Sequence, residues 1–589
     1  MTVGRMAKAA RPALCVLTVA ALVGISGCGG GSKGKSGNGS GGAVGVAPTP
    51  SETVASPQTV AQAFLDAWAA GDWHKAASYT DNAANAEAGL KAEMTSLAPQ
   101  KITLTLGEQS DPSASGSGTP SGGSGGGSGS SSTAGTPTAA APPTSTAAPA
   151  IAHFSFAVAD DFGTNLTWQY KSGLNLVQGS GGQPQVHWSY SVIHPALLST
   201  TLLKAAPPKM TVTDATGTKI DTKAHPTLAN TVNLLSTHVP TGQTPLALTI
   251  EFTDANTGAP LSGAQPVSIG AASTAPMTVK TTLRPAVQNA MEAAVKQFPN
   301  SGMVAIQPST GDILGIATNG PGNIATQATR APGSTFKVLT TALALQKGLK
   351  PTDPVTCDPK VNVEGKDITN DKDLANGIPG ATLRDAFLQS CNTAFVHLAL
   401  DGKLGTDYGA LAEEGKTYFG LNQKWDLGMG AATYGTAKDQ QVIPATGKGT
   451  FARDAFGQGD ITMSPLVMAS VAATVCAGQF HQPVLVPGAP TITATPLPAG
   501  VSQQLTTLME GVATSGTAAN VFGGLTGIAA KTGSAESADS AKTHTTDSWM
   551  VVFDKAHDIA FAALVLNGGF GKAAAGPEIN AVLHAPGVR

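Results

Sequence analysis

The stretch "RAPGSTFKVLTTALALQKG", Arg330–Gly348, decides how the whole chain reads. Pro332-Gly333 breaks whatever precedes it, so Ser334 is expected to open a helix that Gly348 ends. Ser334 and Lys337 stand three apart and therefore share a helix face. Phe336, Val338, Leu339, Ala342, Leu343 and Leu345 make that helix apolar on nearly every side, as a central buried helix is. Desolvation there drives the lysine toward its neutral form, a useful general base. The helix N-terminus favours negative charge developing on Ser334 by about 0.3–1 kcal/mol. A serine beside a lysine base is one way to activate a hydroxyl. The spacing alone is weak, because Ser32 and Lys35 repeat S-x-x-K inside a Gly/Ser tract where it means nothing.

Two further segments give it meaning. "LRDAFLQSCNTAFVHLAL" (383–400) carries Ser390-Cys391-Asn392 between two apolar helical runs. "GIAAKTGSAES" (527–537) carries Lys531-Thr532-Gly533-Ser534 at the start of strand-like text, and "DSWMVVF" and "IAFAALVLN" follow as a meander. Taken singly, Ser390 and Asn392 read as helix caps, Lys531-Thr-Gly as a turn before a strand, and Trp549 as core. Upstream, "LRPAVQNAMEAAVKQF" reads as an amphipathic helix through Val287, Met291, Ala294 and Val295. It leads into "GMVAIQPSTGDILGIATN", two strands around the turn Ser309–Asp312. A hairpin, a buried helix and C-terminal strands predict an α/β sandwich.

Nucleophile, S-x-N and K-T-G occur in the order and rough spacing of penicillin-recognising serine enzymes. With the flanking "APGSTFK", "QSCNTAF", "FGQGDITMSPLVMA" and "AKTGSAE", residues 281–589 resemble the transpeptidase domain of class B penicillin-binding proteins. The resemblance implies the serine β-lactamase/transpeptidase fold, no cofactor, and a D-alanyl-D-alanine stem peptide of peptidoglycan as acyl donor. Ser334 would attack with Lys337 as base, and the backbone N–H groups of Ser334 and Ser534 would form the oxyanion hole. Ser390 would relay the proton, and Asn392 would hold the donor amide. Lys531 and Thr532 would bind the terminal carboxylate, Gly533 would leave room for the peptide, and Gln458 would line the site. β-Lactams imitate the donor and would acylate Ser334. Rival readings are a serine β-lactamase, a D,D-carboxypeptidase and a lipoprotein that traps β-lactam without turnover. Class D lactamases share "STFK" but carry an apolar residue where Asn392 stands. Nothing convincingly matches the deacylating glutamate box of class A.

The remaining sequence places this unit in a longer architecture. At 589 residues the chain predicts two to four folded units. Net charge is -3 with 12% charged residues and no basic stripe, which argues against nucleic acid as a partner. Arg5, Lys8 and Arg11 precede the apolar run Ala13–Ile25, too short to span a bilayer, so residues 1–27 read as a signal peptide. Ile25-Ser26-Gly27-Cys28 resembles a lipobox, which implies a lipid on Cys28 and anchorage on the outer face of the bacterial cell membrane. The other reading is an ordinary signal or an uncleaved anchor. Residues 28–55 read as a disordered tether.

"TVAQAFLDAWAAGDWHKAASYT" predicts two short helices broken at Gly71. "KITLTLGEQ", "HFSFAVADDFG", "NLTWQYKSGLNLVQ" and "VHWSYSVIHPAL" read as strands. Residues 56–196, with a low-complexity insert at about 111–149, thus resemble, more weakly, the NTF2-like α+β cone of MecA-type proteins. A β-rich pedestal at 197–280 keeps only Asp214 and Gly217 of that subgroup's motif. Nothing resembles a glycosyltransferase domain, so the resemblance implies a glycosyltransferase partner. Cys357, Cys391 and Cys476 form no disulfide framework. They read as buried free thiols with one optional bridge, Cys391 as a packed thiol. His397, His481, His544 and His557 show no metal-ligand spacing.

Overall fold

A computed structural model describes residues 54–110, 149–163, 165–207, 209–237, 239, 247–261, 265–270, 277–429, 442, 444–537 and 545–589. Residues 1–27, Cys28, nearly all of the tether, most of the low-complexity insert and His544 lie outside the described residues. Among the described residues no helix is long and apolar enough to cross a membrane.

In the N-terminal unit, Pro57 at the first helical position and Ser56, whose Oγ accepts from Thr59 N, start α1 (Pro57–Ala69). Gly71 turns the chain at φ +75°, and Asp72 caps α2 (Trp73–Ser78), so the break falls where the sequence put it. With α3 (Ala83–Leu97) these helices bury Phe64, Leu65, Trp68 and Leu90. They pack against an antiparallel sheet in the order β1 (Lys101–Ser110), β2 (Ala150–Asp161), β3 (Thr167–Gln178) and β4 (Pro184–Val186). The expected strand through "VHWSYSVIHPAL" is cut short at Val186. The Asp81 carboxylate accepts from Trp188 N at 2.8 Å and contacts His187 Nδ1 at 2.6 Å. This diverts the backbone into a 3₁₀ turn at Tyr190–Val192 and stacks Trp188 against Gly89.

The stretch 197–280 is β-rich and shares its apolar residues between two cores. β5 (Thr201–Ala206), β7 (Ala247–Asp254) and β8 (Val267–Gly270) form one sheet, whose Leu203, Ile250 and Phe252 join the N-terminal core. β6 (Thr211–Thr213) and β9 (Thr278–Lys280) pair in parallel beside α4 (Ala229–Thr237). There Met210, Val212, Leu235 and Val279 join the C-terminal core. Asp214 and Gly217 make a tight turn, with Asp214 Oδ1 accepting from Thr216 N and Thr218 N.

The C-terminal unit is the expected α/β sandwich. Its antiparallel sheet runs β11 (Ile313–Asn319), β10 (Ser301–Ile306), β16 (Ile559–Val565), β15 (Asp547–Asp554), β14 (Ile528–Ala535). β10, β15 and β16 are buried on both faces, which explains their unbroken apolar text. α5 (Pro285–Ala294) and α14 (Ala575–Leu583) pack together on one face; α6 (Ile324–Gln327) and α12 (Pro465–Ala477) pack together against the sheet. α12 is buried at every residue from Pro465 to Cys476, so it is a core helix and shows no polar face. β14 is an edge strand whose outer side faces the nucleophile turn. That edge places the site.

Candidate active site

Ser334 lies in a 3₁₀ turn, Gly333–Phe336, and the α-helix proper, α7 (Lys337–Gln346), starts at the lysine. The expected helix start is thus displaced by one tight turn. Gly333 has φ +55° and donates its N–H to Gly457 O at 2.9 Å, and a Cβ on Gly333 would fall 2.6 Å from Ser534 O. Only glycine fits this junction of the nucleophile turn and β14. α7 is buried from Lys337 to Leu345, packed between α10 (Ala410–Phe419) and α13 (Ala499–Ser515).

Lys337 is wholly buried. Its Nζ stands 2.8 Å from Ser334 Oγ, 2.8 Å from Ser390 O and 2.7 Å from Asn392 Oδ1. Burial first, and the Lys531 charge second, hold this amine well below the usual lysine range, while the Asp371 charge works against them. The contacts are compatible with the neutral form that burial favours. Two of the three partners are carbonyl oxygens, which can only accept, so when the amine is neutral they take the two hydrogens of its NH₂ group. Its lone pair then points to the Ser334 hydroxyl. The apolar wall is aromatic, with Phe395 centred 5.2 Å from this nitrogen.

Ser390 and Asn392 are positioned by a helix break. α8 (Leu383–Leu388) begins at a capping box made by Thr382 and Asp385. After it Ser390 adopts φ +60°, a left-handed position usually given to glycine, at a cost of about 1–2 kcal/mol. A strained serine there is explained by its side chain, since Ser390 Oγ accepts from Lys531 Nζ at 2.9 Å and lies 3.4 Å from Lys337 Nζ. α9 (Asn392–Leu400) follows at once. Thr369 O accepts from Asn392 Nδ2 at 3.0 Å, which turns the amide oxygen toward Lys337. The preceding hairpin, β12 (Lys360–Val363) and β13 (Lys366–Thr369), delivers that carbonyl.

Cys391 is not a packed thiol. It forms a disulfide with Cys357, across a sequence separation of 34. The bridge that the three cysteines left optional is therefore formed, and it ties the middle residue of S-x-N to the 357–358 segment. Cys476 is free and buried, with its thiol pushed up to about 12, so it is inert.

β14 supplies the third wall. Lys531 is wholly buried, with Nζ 3.1 Å from Thr532 O and 5.6 Å from the Phe387 ring centre. Burial pushes it down to about 7, and the Asp371 charge opposes this. Thr532 Oγ1 lies 2.6 Å from Thr517 Oγ1, and Thr517 N donates to Leu388 O, so the loop after α13 pins the strand to α8. A Cβ on Gly533 would come within 2.9 Å of Thr335 Cγ2 and 3.0 Å of Pro332 O, so the strand runs directly beside the nucleophile turn. Ser534 sits against Gly333 from the same strand. Trp549, opposite Gly533, is core as expected.

Ser334, Lys337, Ser390, Asn392 and Lys531 thus meet in one cluster, its lysines and Ser390 buried and Ser334 and Asn392 half-buried, with Thr532, Gly533 and Ser534 along its edge. Gln458 follows Gly457, the glycine bonded to Gly333, and its own N donates to Arg453 O in the turn after α11 (Lys448–Asp454). Sequence reading did not single out Asn370, Thr369, Asp371, Gly457 or Thr517. Only the glycine in "FGQG" stood inside a block already quoted; the others had no local signal. Among the described residues no cluster of His, Cys, Asp or Glu could hold a metal ion.

A model of the penicillin binding protein transpeptidase domain matches residues 301–584. Peptidoglycan D,D-transpeptidase PbpA of Mycobacterium tuberculosis is 31% identical over 368 residues, covering 52% of this chain and 72% of that one. PbpA of Mycolicibacterium smegmatis is 32% identical over 351 residues, covering 49% and 67% respectively. The crystal structure of PBPA from M. tuberculosis is similar with a TM-score of 0.47 and 25% identity, over 64% of this chain and 99% of that one. With nearly a third of the aligned positions identical over most of a curated relative's length, the chain belongs to the class B penicillin-binding protein transpeptidases and is homologous to PbpA.

Proposed function

We propose that this chain is a serine D,D-transpeptidase that crosslinks peptidoglycan stem peptides through an acyl-enzyme on Ser334. The observation that carries this reading is the buried Lys337 amine, 2.8 Å from Ser334 Oγ with two carbonyl acceptors occupying its hydrogens. Lys337 takes the Ser334 proton as the oxygen attacks the penultimate D-Ala carbonyl. The backbone N–H groups of Ser334 and Ser534 receive the negative oxygen; one such donor is worth about 3–4 kcal/mol. Ser390, between the two lysines, passes the proton to the leaving D-Ala. The free hydrogen on Asn392 Nδ2 holds the donor's amide carbonyl. Lys531 and Thr532 bind the terminal carboxylate, and the donor backbone extends along the outer edge of β14. Gln458 lines the cleft. An amine from a neighbouring stem then attacks the ester, releasing Ser334.

The remaining parts of the proposal rest on sequence. Residues 1–27 act as a lipoprotein signal, Cys28 carries lipid, and the protein works on the outer face of the cell membrane. The N-terminal unit is an NTF2-like domain of MecA type, serving with the 197–280 segment as a spacer or docking domain. A separate glycosyltransferase supplies the glycan strands.

Labelling with a fluorescent penicillin tests the reading. Wild type is expected to retain covalent label for many minutes and Ser334→Ala to take none. Label lost within seconds with hydrolysed drug accumulating would make the chain a β-lactamase. Absence of label from wild type would remove the acyl-enzyme altogether.

A further inference from the structure

The geometry points to Asn370 as a positioning residue for acyl transfer: its side chain holds the S-x-N turn so that Asn392 presents its amide oxygen to Lys337. The inference rests on the proposed transpeptidase reading and adds a residue to its machinery.

α9 starts without a cap of its own. The residue before it is Cys391, a half-cystine that makes no side-chain cap bond. Its first backbone N–H groups need an acceptor from elsewhere. Asn370, just beyond β13, provides it: its Oδ1 accepts from Asn392 N at 2.8 Å and from Thr393 N at 3.1 Å. The other end of the amide is also used, since Asn370 Nδ2 donates to Asp358 O at 2.9 Å. Thr393 Oγ1 donates to the same carbonyl at 2.8 Å. One side chain therefore joins three segments, 357–358, 369–370 and 392–393, at the point where the Cys357–Cys391 bridge also crosses.

The consequence reaches the reacting atoms through Asn392. Its backbone is held by Asn370 and its Nδ2 by the carbonyl of the adjacent Thr369. Both anchors come from two consecutive residues, so the loss of the first lets the second drift. Asn392 Oδ1 then no longer meets Lys337 Nζ at 2.7 Å, and one of the two acceptors that keep the amine's lone pair on Ser334 is gone. The Asn370 side chain bonds to Asp358, Asn392 and Thr393 and to neither Ser334 nor Lys337, so it acts through Asn392.

Asn370→Ala in the full chain is expected to lower the limiting acylation rate with penicillin by about 10- to 100-fold, the scale set by a misplacement of roughly 1 Å. Asn370→Asp keeps an oxygen for both N–H groups but loses the donor to Asp358 O and adds a charge beside Asp371, so it is expected to recover part of that rate, which a purely structural contribution would not do selectively. Folded fraction is followed in parallel by circular dichroism. Where the alanine variant yields no folded protein, Asn370→Ser, too short to bridge both N–H groups, is read instead. A folded Asn370→Ala or Asn370→Ser that acylates at the wild-type rate would overturn the inference, as would a loss no larger than the loss of folded fraction. Wild type that takes no label would instead overturn the transpeptidase reading, so the two failures are distinguishable.

Discussion

Raising the pH should switch this site off through Lys531. Burial brings that ammonium down to about 7, so it loses its proton as the pH rises through that value. At pH 7 about half of the molecules keep the charge and at pH 9 about 1%, a roughly fifty-fold fall. The second-order constant for acylation reports the free protein, and a neutral Lys531 no longer draws in the drug's carboxylate. Acylation by penicillin should therefore fall about fifty-fold between these two pH values. On the acid side the rate should fall as Lys337 gains a proton, since a charged Lys337 has no lone pair for Ser334. Lys531→Arg stays charged across the range, so its alkaline limb should vanish even though the larger head group lowers the overall rate. Single-turnover labelling from pH 5 to 10, with circular dichroism confirming the fold, measures both profiles. A wild-type rate that is flat from pH 7 to 9, or an arginine variant with the same fall, would refute this account of Lys531.

Other substitutions probe the remaining contacts. Lys337→Met removes the base while filling similar volume and should slow acylation by about 10²–10⁴-fold in the same assay. Gly457→Ala would put a Cβ 1.8 Å from Gly333 O, so the nucleophile turn must retreat; a loss of about 100-fold in acylation is expected, and normal kinetics with an unchanged melting temperature would contradict it. Removing the 357–391 bridge frees a loop of 34-residue separation. Cys357→Ser should cost about 3–4 kcal/mol in chemical denaturation and slow acylation as well, because the bridge holds the S-x-N turn. Glu578 is buried, accepts from Ser301 Oγ, and is pushed up to about 8. Its folded-state pKa lies above the unfolded one, so it costs stability as pH rises from about 4 to 8. The melting temperature of Glu578→Gln should gain on wild type across that interval, and a constant difference would count against it.

Much of the C-terminal unit was legible because its elements are punctuated and either periodic or wholly apolar. Pro332-Gly333 and Gly348 bracketed the nucleophile helix, and the apolar runs of β15 and β16 announced a meander of strands, which the structure buries on both faces. Ser334, Lys337, Ser390, Asn392 and Lys531 were readable as three short motifs, yet nothing local in the text said that they meet. That follows from β14 lying at the sheet edge beside the nucleophile turn. What escaped reading was set by long-range contacts. Asn370 is one asparagine among many until α9 is seen to lack its own cap. The Cys357–Cys391 pairing could not be chosen from three cysteines. Strand text after Val186 was overridden by Asp81, a hundred residues away, capturing the backbone of Trp188.

The most direct test of the central claim is to react the full chain with penicillin, digest it, and locate the adduct by mass spectrometry. The account predicts one covalent adduct, on Ser334, which forms in wild type and fails to form in Lys337→Met on the same timescale. An adduct on another residue, or equal labelling of Ser334 without the Lys337 amine, would contradict it.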